Sequence, residues 1–225
     1  MTCLKVISAA LVLTFTVSNA HAQTTVTTNF SAVNKVIPDG QRAGVSDTHV
    51  IHFDNPSFIN LTDLQVNISI SGGYNGDIYG YLVHDSGFSV LFNRAGRSST
   101  NSPGYSDTGF NVTLADGAND LHFYKNSPFT LNGNGQLTGT WSPDGRYADP
   151  AVVSEATSPS SLLGSFNGTN PNGSWTLFLA DVDFGQQSTL VQWGLVVSAV
   201  PEPTGFGLVG VGALILGATL YRRRK

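Results

Sequence analysis

Apolar and polar residues alternate with a period of two through most of the chain. Leu64, Val66, Ile68 and Ile70 fall on one side of an extended segment, and Gln65, Asn67 and Ser69 fall on the other, which predicts a half-buried strand. The same pattern predicts strands near 48–53, 77–84, 89–93, 110–114, 162–166, 175–181 and 189–198. Clusters such as Ser71-Gly72-Gly73-Tyr74-Asn75-Gly76, Asp116-Gly117 and Asn170-Pro171-Asn172-Gly173 separate them and carry turn chemistry. Helical periodicity is almost absent. Many short strands joined by such turns predict an all-β, antiparallel sandwich of jelly-roll type. In its last two strands Trp175, Leu177 and Leu179 share one face, and Val191, Trp193, Leu195 and Val197 share another. Trp175 and Trp193 are therefore expected to be packing anchors on adjacent core strands.

Two stretches break the alternation. Residues 1–22 begin with Lys5, continue through an apolar run over 6–17 and end in Ala20-His21-Ala22, the layout of a secretory signal peptide. Residues 204–221 form an uncharged apolar run followed by Arg222-Arg223-Arg224-Lys225. Eighteen residues at a helical rise give about 27 Å, enough to span a bilayer. The basic cluster would remain cytoplasmic, which places residues 23–199 outside.

Composition narrows the exported region further. Cys3, the only cysteine, lies in the signal, so the domain over 23–199 is expected to be held by packing and strand pairing without disulfides. The whole chain carries a formal charge of -4, but residues 23–199 hold fourteen acidic and six basic side chains. Such a surface disfavours nucleic acid and anionic lipid. Thirteen of the fourteen acids are Asp, which suits turns and also calcium sites.

The order Pro201-Glu202-Pro203, spanning run and terminal basic cluster resembles the PEP-CTERM sorting signal of Gram-negative bacteria. The resemblance covers 200–225 and implies an exosortase that reads, and is thought to cleave, the tail. It also implies a transient membrane anchor, delivery to the cell surface or extracellular matrix, and association with extracellular polysaccharide. A second resemblance lies in the domain. Asn75-Gly76-Asp77-Ile78-Tyr79-Gly80-Tyr81-Leu82, Val90-Leu91-Phe92-Asn93-Arg94-Ala95-Gly96, Gly173-Ser174-Trp175-Thr176-Leu177 and Gln192-Trp193-Gly194-Leu195 look like the P domain (P/Homo B) that follows subtilisin-like proprotein convertases. This covers about 64–198 and implies a jelly-roll-like sandwich. P domains support the folding of a preceding protease domain, yet only about forty residues separate Gln23 from Leu64, so protease activity is not carried over.

Asp77, at a strand start, and Asp181 and Asp183, at a strand end, are the carboxylates with chemical potential, since a sandwich can bring those loop ends to one rim. P-domain relatives hold calcium near such positions. Six to eight oxygens are needed, so Asn75 or backbone carbonyls would have to assist. His49 and His52, three apart on a strand, face opposite ways and share no zinc. With His84 they are expected at the surface or at strand edges. No Gly-x-Ser-x-Gly elbow occurs in the chain. Trp141, read as an exposed loop residue in Gly139-Thr140-Trp141-Ser142-Pro143, joins Tyr74, Tyr79 and Tyr81 as candidates for stacking on sugars.

The functional expectation is a non-catalytic, calcium-stabilised sandwich of the cell surface or extracellular matrix, acting in adhesion or matrix structure. A carbohydrate-binding module of the extracellular polysaccharide is the first alternative. An accessory domain associated with a secreted hydrolase is the second.

Overall fold

The alternation builds ten strands in the computed structural model, which describes residues 23–53, 60–85 and 87–199. They are β1 (Thr24–Phe30), β2 (Lys35–Ile37), β3 (Gln41–Ile51), β4 (Leu61–Gly72), β5 (Ile78–His84), β6 (Gly87–Asn93), β7 (Gly109–Ala115), β8 (Leu137–Trp141), β9 (Gly173–Asp181) and β10 (Ser188–Ala199). The signal sequence over 1–22, Pro201-Glu202-Pro203, the apolar run over 204–221 and Arg222-Arg223-Arg224 lie outside the described residues. Among the described residues no helix is long and apolar enough to cross a membrane.

Two sheets form a sandwich-like arrangement. One has the order β1-β10-β4-β7-β8, with β2 also paired to β10, and the other the order β3-β9-β5-β6. β10 is central to the first sheet, with β1 along one edge and β4 along the other. Leu64, Val66, Ile68 and Ile70 of β4, with Phe110 and Leu114 of β7, belong to one buried core with Leu177 and Leu179 of β9 and Leu82 of β5. Each such side chain contributes on the order of 1.5–3 kcal/mol by leaving water. Trp175 and Trp193 are fully buried in this core. Their indole N–H groups donate to the Pro171 carbonyl and to Asp47 Oδ2, both at 2.8 Å, so neither ring buries an unpaired donor.

Four expectations are corrected. The strands bearing Trp175 and Trp193 are not neighbours, because β9 and β10 belong to different sheets and residues 182–187 carry the chain across the sandwich. The pairing is not wholly antiparallel, since β8 runs parallel to β7 with Phe110 opposite Leu137. Residues 162–166 do not form a strand. The Asp116 carboxylate accepts the N–H groups of Leu163 (3.1 Å) and Gly164 (2.6 Å), and this holds a 3-10 turn, Leu163–Phe166, whose two end residues both enter the core. Finally, His84 is buried rather than superficial; it stacks on Trp175 at 4.3 Å and its Nε2 lies 3.1 Å from the Asn172 carbonyl.

Candidate functional site at the acidic rim

Pairing of β5 with β9 sets Ile78 opposite Asp181 and so brings the start of one strand to the end of the other. Asp77 precedes β5 on a 3-10 turn, Asn75–Asp77, and its carbonyl accepts the Val182 N–H at 2.8 Å. The turn is fixed from behind. Asn75 N–H donates to the Asp107 carbonyl (3.0 Å) and Gly76 N–H to the Tyr105 carbonyl (2.8 Å). Asn75 Oδ1 accepts the Gly109 N–H at 2.8 Å, while its Nδ2 lies 3.2 Å from the Tyr124 hydroxyl. That side chain is therefore held by the scaffold at both of its polar atoms.

Asp77, Asp181 and Asp183 come to this rim, joined by Asp39 from the turn between β2 and β3, which accepts the Gly185 N–H at 3.1 Å. One cation lies among them. Arg94 Nη2 is 2.7 Å from Asp183 Oδ2 and 3.7 Å from Asp77 Oδ1, and its Nε donates to the Gly76 carbonyl at 2.8 Å. Arg94 has φ +55°, a conformation uncommon for a side chain of this size, and it delivers the guanidinium into the rim.

The electrostatics show how incompletely this cation neutralises the site. Burial pushes the Asp181 carboxyl up to about 7, with Asp77 and then Asp39 adding to the rise against the backbone N–H groups of Asp183 and Gly40. Burial also raises Asp77 to about 6, reinforced by Asp183 and Asp39 and opposed by Arg94. Asp181 Oδ1 is buried without a hydrogen-bond partner. A buried carboxylate oxygen in that state costs free energy unless a proton or a metal ion engages it. A cleft of about 450 Å³ lined by Tyr74, Pro103, Tyr105 and Phe184 opens onto Asp77 and Asp183. The donor set is all oxygen, which suits a hard dication such as calcium. Among the described residues no three Asp, Glu, His or Cys side chains close into a ready coordination shell, so an ion here would draw the carboxylates inward.

The four aromatic candidates do not share a surface. Tyr74 lines the acidic cleft. Tyr79 and Tyr81 alternate outward from β5 onto the exposed side of the four-stranded sheet, next to Phe178 of β9. Trp141 is 3% exposed and belongs to the core, which overturns its reading as an exposed loop residue. It closes β8 opposite Leu114, and its Nε1 donates to the Thr138 carbonyl at 2.9 Å, so its polar atom is satisfied inside.

Sequence reasoning passed over Asp39, Arg94 and the sealed pair His122 and Asp144. Arg94 stands among only six basic residues in an acidic domain, which was a usable signal. His122 Nδ1 meets Asp144 Oδ2 at 2.7 Å and Nε2 meets the Arg97 carbonyl at 2.9 Å, so the fold engages both ring nitrogens and the side chain is fully buried.

No protein-family model and no curated protein matches the chain. Among solved structures it is similar to a chain of the Aeromonas sobria serine protease in complex with the chaperone ORF2, with 14% identity, a TM-score of 0.44, and coverage of 80% of this chain and 28% of that one. The serine protease of Aeromonas sobria is similar at 14% identity and a TM-score of 0.43, over 79% of this chain and 27% of that one. The chain thus spans less than a third of the chains it resembles, and likeness at this level assigns no activity.

Proposed function

We propose that this is a non-catalytic, jelly-roll-like module of the cell surface or extracellular matrix, exported by its signal sequence and sorted through the PEP-CTERM-like tail. It acts in adhesion or matrix structure, with a calcium ion tying its rim loops together. The observation that supports the ion is the unpartnered, buried Asp181 Oδ1 beside Asp77. Asp181 and Asp77 would hold the ion, with Asp39 and Asp183 contributing carboxylate oxygens. Bound calcium supplies the positive charge that one guanidinium cannot. The protein's own part is to bring to one place the β2–β3 turn, the turn before β5 and the loop after β9, three segments distant in sequence. Loop order at the rim would then set the shape of any adhesive surface there.

The test is thermal melting of the purified protein with calcium and with EGTA. Calcium at a hundred times its Kd should stabilise the fold by about 2.7 kcal/mol. Asp181→Asn should abolish that difference. A melting temperature indifferent to EGTA in the unsubstituted protein would exclude the ion. The sorting half is tested separately: protein recovered from its native host should lack Tyr221 to Lys225 by mass spectrometry, and an intact tail would point to a plain anchor.

A further inference from the structure

The outer faces of the two sheets differ in a way the fold does not require. On the six-stranded sheet, Gln65, Asn67 and Ser69 of β4 and Asn111 and Thr113 of β7 point away from the core, as solvent exposure favours. The four-stranded sheet instead presents aromatic rings. Tyr81 stacks on Phe178 with centroids 4.7 Å apart and planes 18° from parallel, Tyr79 lies 6.0 Å from Tyr81, and Phe88 of β6 lies 5.2 Å from Tyr81 on its other side. Tyr147 completes the row, edge-on to Phe88 at 5.6 Å and 80°, and is 70% exposed.

Tyr147 is held out by a built support. Asn93, fully buried, donates through Nδ2 to the Arg146 carbonyl (2.9 Å) and the Ala148 carbonyl (3.0 Å), clamping the backbone on both sides of Tyr147. Asp149, next along the loop, accepts the Ala151 N–H at 2.8 Å and pairs with Arg42 at 3.1 Å. A loop pinned by such bonds that keeps a large ring in water is a costly arrangement for packing alone and a useful one for recognition.

Tyr79, Tyr81, Phe178 and Tyr147 border an open groove of about 560 Å³, within the size range of small-ligand clefts. Arg42 and Asp149 are the charged residues on its lining, and they neutralise each other, while the domain around them is strongly acidic. A polyanion would meet that surrounding negative field without a local excess of positive charge. A polycation would find no excess carboxylate in the groove. A pyranose suits what is present: an apolar C–H face to lie on Tyr81 and Phe178, and hydroxyl edges to bond the Tyr79 and Tyr147 hydroxyls and the Arg42–Asp149 pair.

We infer that the aromatic outer face of the four-stranded sheet, centred on Tyr81, Phe178 and Tyr147, binds a chain of uncharged sugars. The proposal does not depend on calcium at the rim. It is tested by affinity electrophoresis of the full protein in gels containing dextran, glucomannan or hydroxyethyl cellulose as neutral probes and alginate as the acidic one, alongside sedimentation of the free protein. Retardation is expected in at least one neutral gel and none in alginate. Tyr147→Ala, at an exposed site, should weaken it at least tenfold without changing the melting temperature, Tyr81→Ala should weaken it as much while also lowering the melting temperature through the lost stack on Phe178, and Asp181→Asn should leave it intact. No retardation in any neutral gel, binding to alginate alone, or retardation lost in Asp181→Asn but kept in Tyr147→Ala would overturn the proposal. So would self-association that Tyr147→Ala abolishes, since the face would then belong to a second copy of the chain.

Discussion

The imidazole of His122 and the carboxylate of Asp144 lie 2.7 Å apart with neither side chain reaching solvent. Asp144 also accepts the Asn93 N–H at 3.2 Å and Arg146 Nη1 at 3.4 Å, so one carboxylate ties β6 to two loops. Replacing it leaves the buried His122 ring and the Asn93 N–H without this acceptor and loosens the hold on Arg146, whose Nη1 keeps Asp120 Oδ1 at 3.1 Å. Asp144→Ala should cost about 3–5 kcal/mol, because several buried donors each lose an acceptor at about 1–3 kcal/mol apiece. Thermal melting should register this as a fall of roughly 10 °C or more for a domain of this size. A fall of a degree or two would show that the surrounding bonds carry the junction unaided.

The rim carboxylates give metal-free protein an inverted pH response. Asp77 at about 6 and Asp181 at about 7 both lie above the ordinary carboxylate value of 3.8. At pH 5 the folded protein therefore keeps protons that the unfolded chain has largely released. The stability they contribute is complete below about pH 4 and is lost as pH rises through 6 and 7. For Asp77 alone the loss is on the order of 3 kcal/mol. In EGTA the melting temperature should fall between pH 5 and pH 8, and Asp181→Asn should flatten that fall. A profile rising over the same interval would mean that the carboxylates are already paired.

The alternation made β4, β5, β9 and β10 legible because each has one face in a continuous core and one outside it. The roles of Trp175 and Trp193 were legible for the same reason. Sheet membership was not, since whether the segment after Asp181 turns back or crosses the sandwich depends on partners distant in sequence. Nor was β8 visible, because Leu137, Thr138, Gly139, Thr140 and Trp141 place only their end residues inside and pair in parallel with a remote strand. The three acids of the rim stood out at their strand ends. Asp39 and Arg94 did not, because no local spacing announces a contact between residues 89 positions apart such as Arg94 and Asp183.

Trp141 supports the core, and its truncation should say so. Trp141→Ala removes a 3% exposed ring that packs edge-on to Tyr124 at 6.0 Å, and should cost about 3–5 kcal/mol. At a temperature where the variant remains folded, retardation in the neutral gels should match the unsubstituted protein. Selective loss of retardation by a still-folded variant would restore it as a ligand residue.

Gly76 is required by close approach of two backbones. A Cβ at this position would lie 2.2 Å from the Pro103 carbonyl oxygen and 2.8 Å from Gly104 Cα, and no flexible side chain is there to yield. Gly76→Ala must therefore push the 103–107 loop away from the turn that bears Asp77. It should destabilise the protein by about 1–3 kcal/mol and weaken calcium stabilisation together with it. Loss of stability with an unchanged calcium increment would separate the turn from the site.

Arg94 provides the sharpest test of the rim, because it and a metal ion would satisfy the same carboxylates. Arg94→Gln leaves the 2.7 Å contact to Asp183 and the 3.7 Å contact to Asp77 without their positive charge. In EGTA at pH 8 the variant should melt below the unsubstituted protein, because Asp39, Asp77, Asp181 and Asp183 then repel one another with no cation among them. Calcium should recover most of the difference, so the gap between melting temperatures with calcium and with EGTA should widen. It should narrow again at pH 5, where the raised values of Asp77 and Asp181 leave both partly protonated and the ion must displace those protons. If calcium instead fails to recover the variant at either pH, the guanidinium is the cation this rim was built around, and the buried Asp181 oxygen is satisfied by a proton.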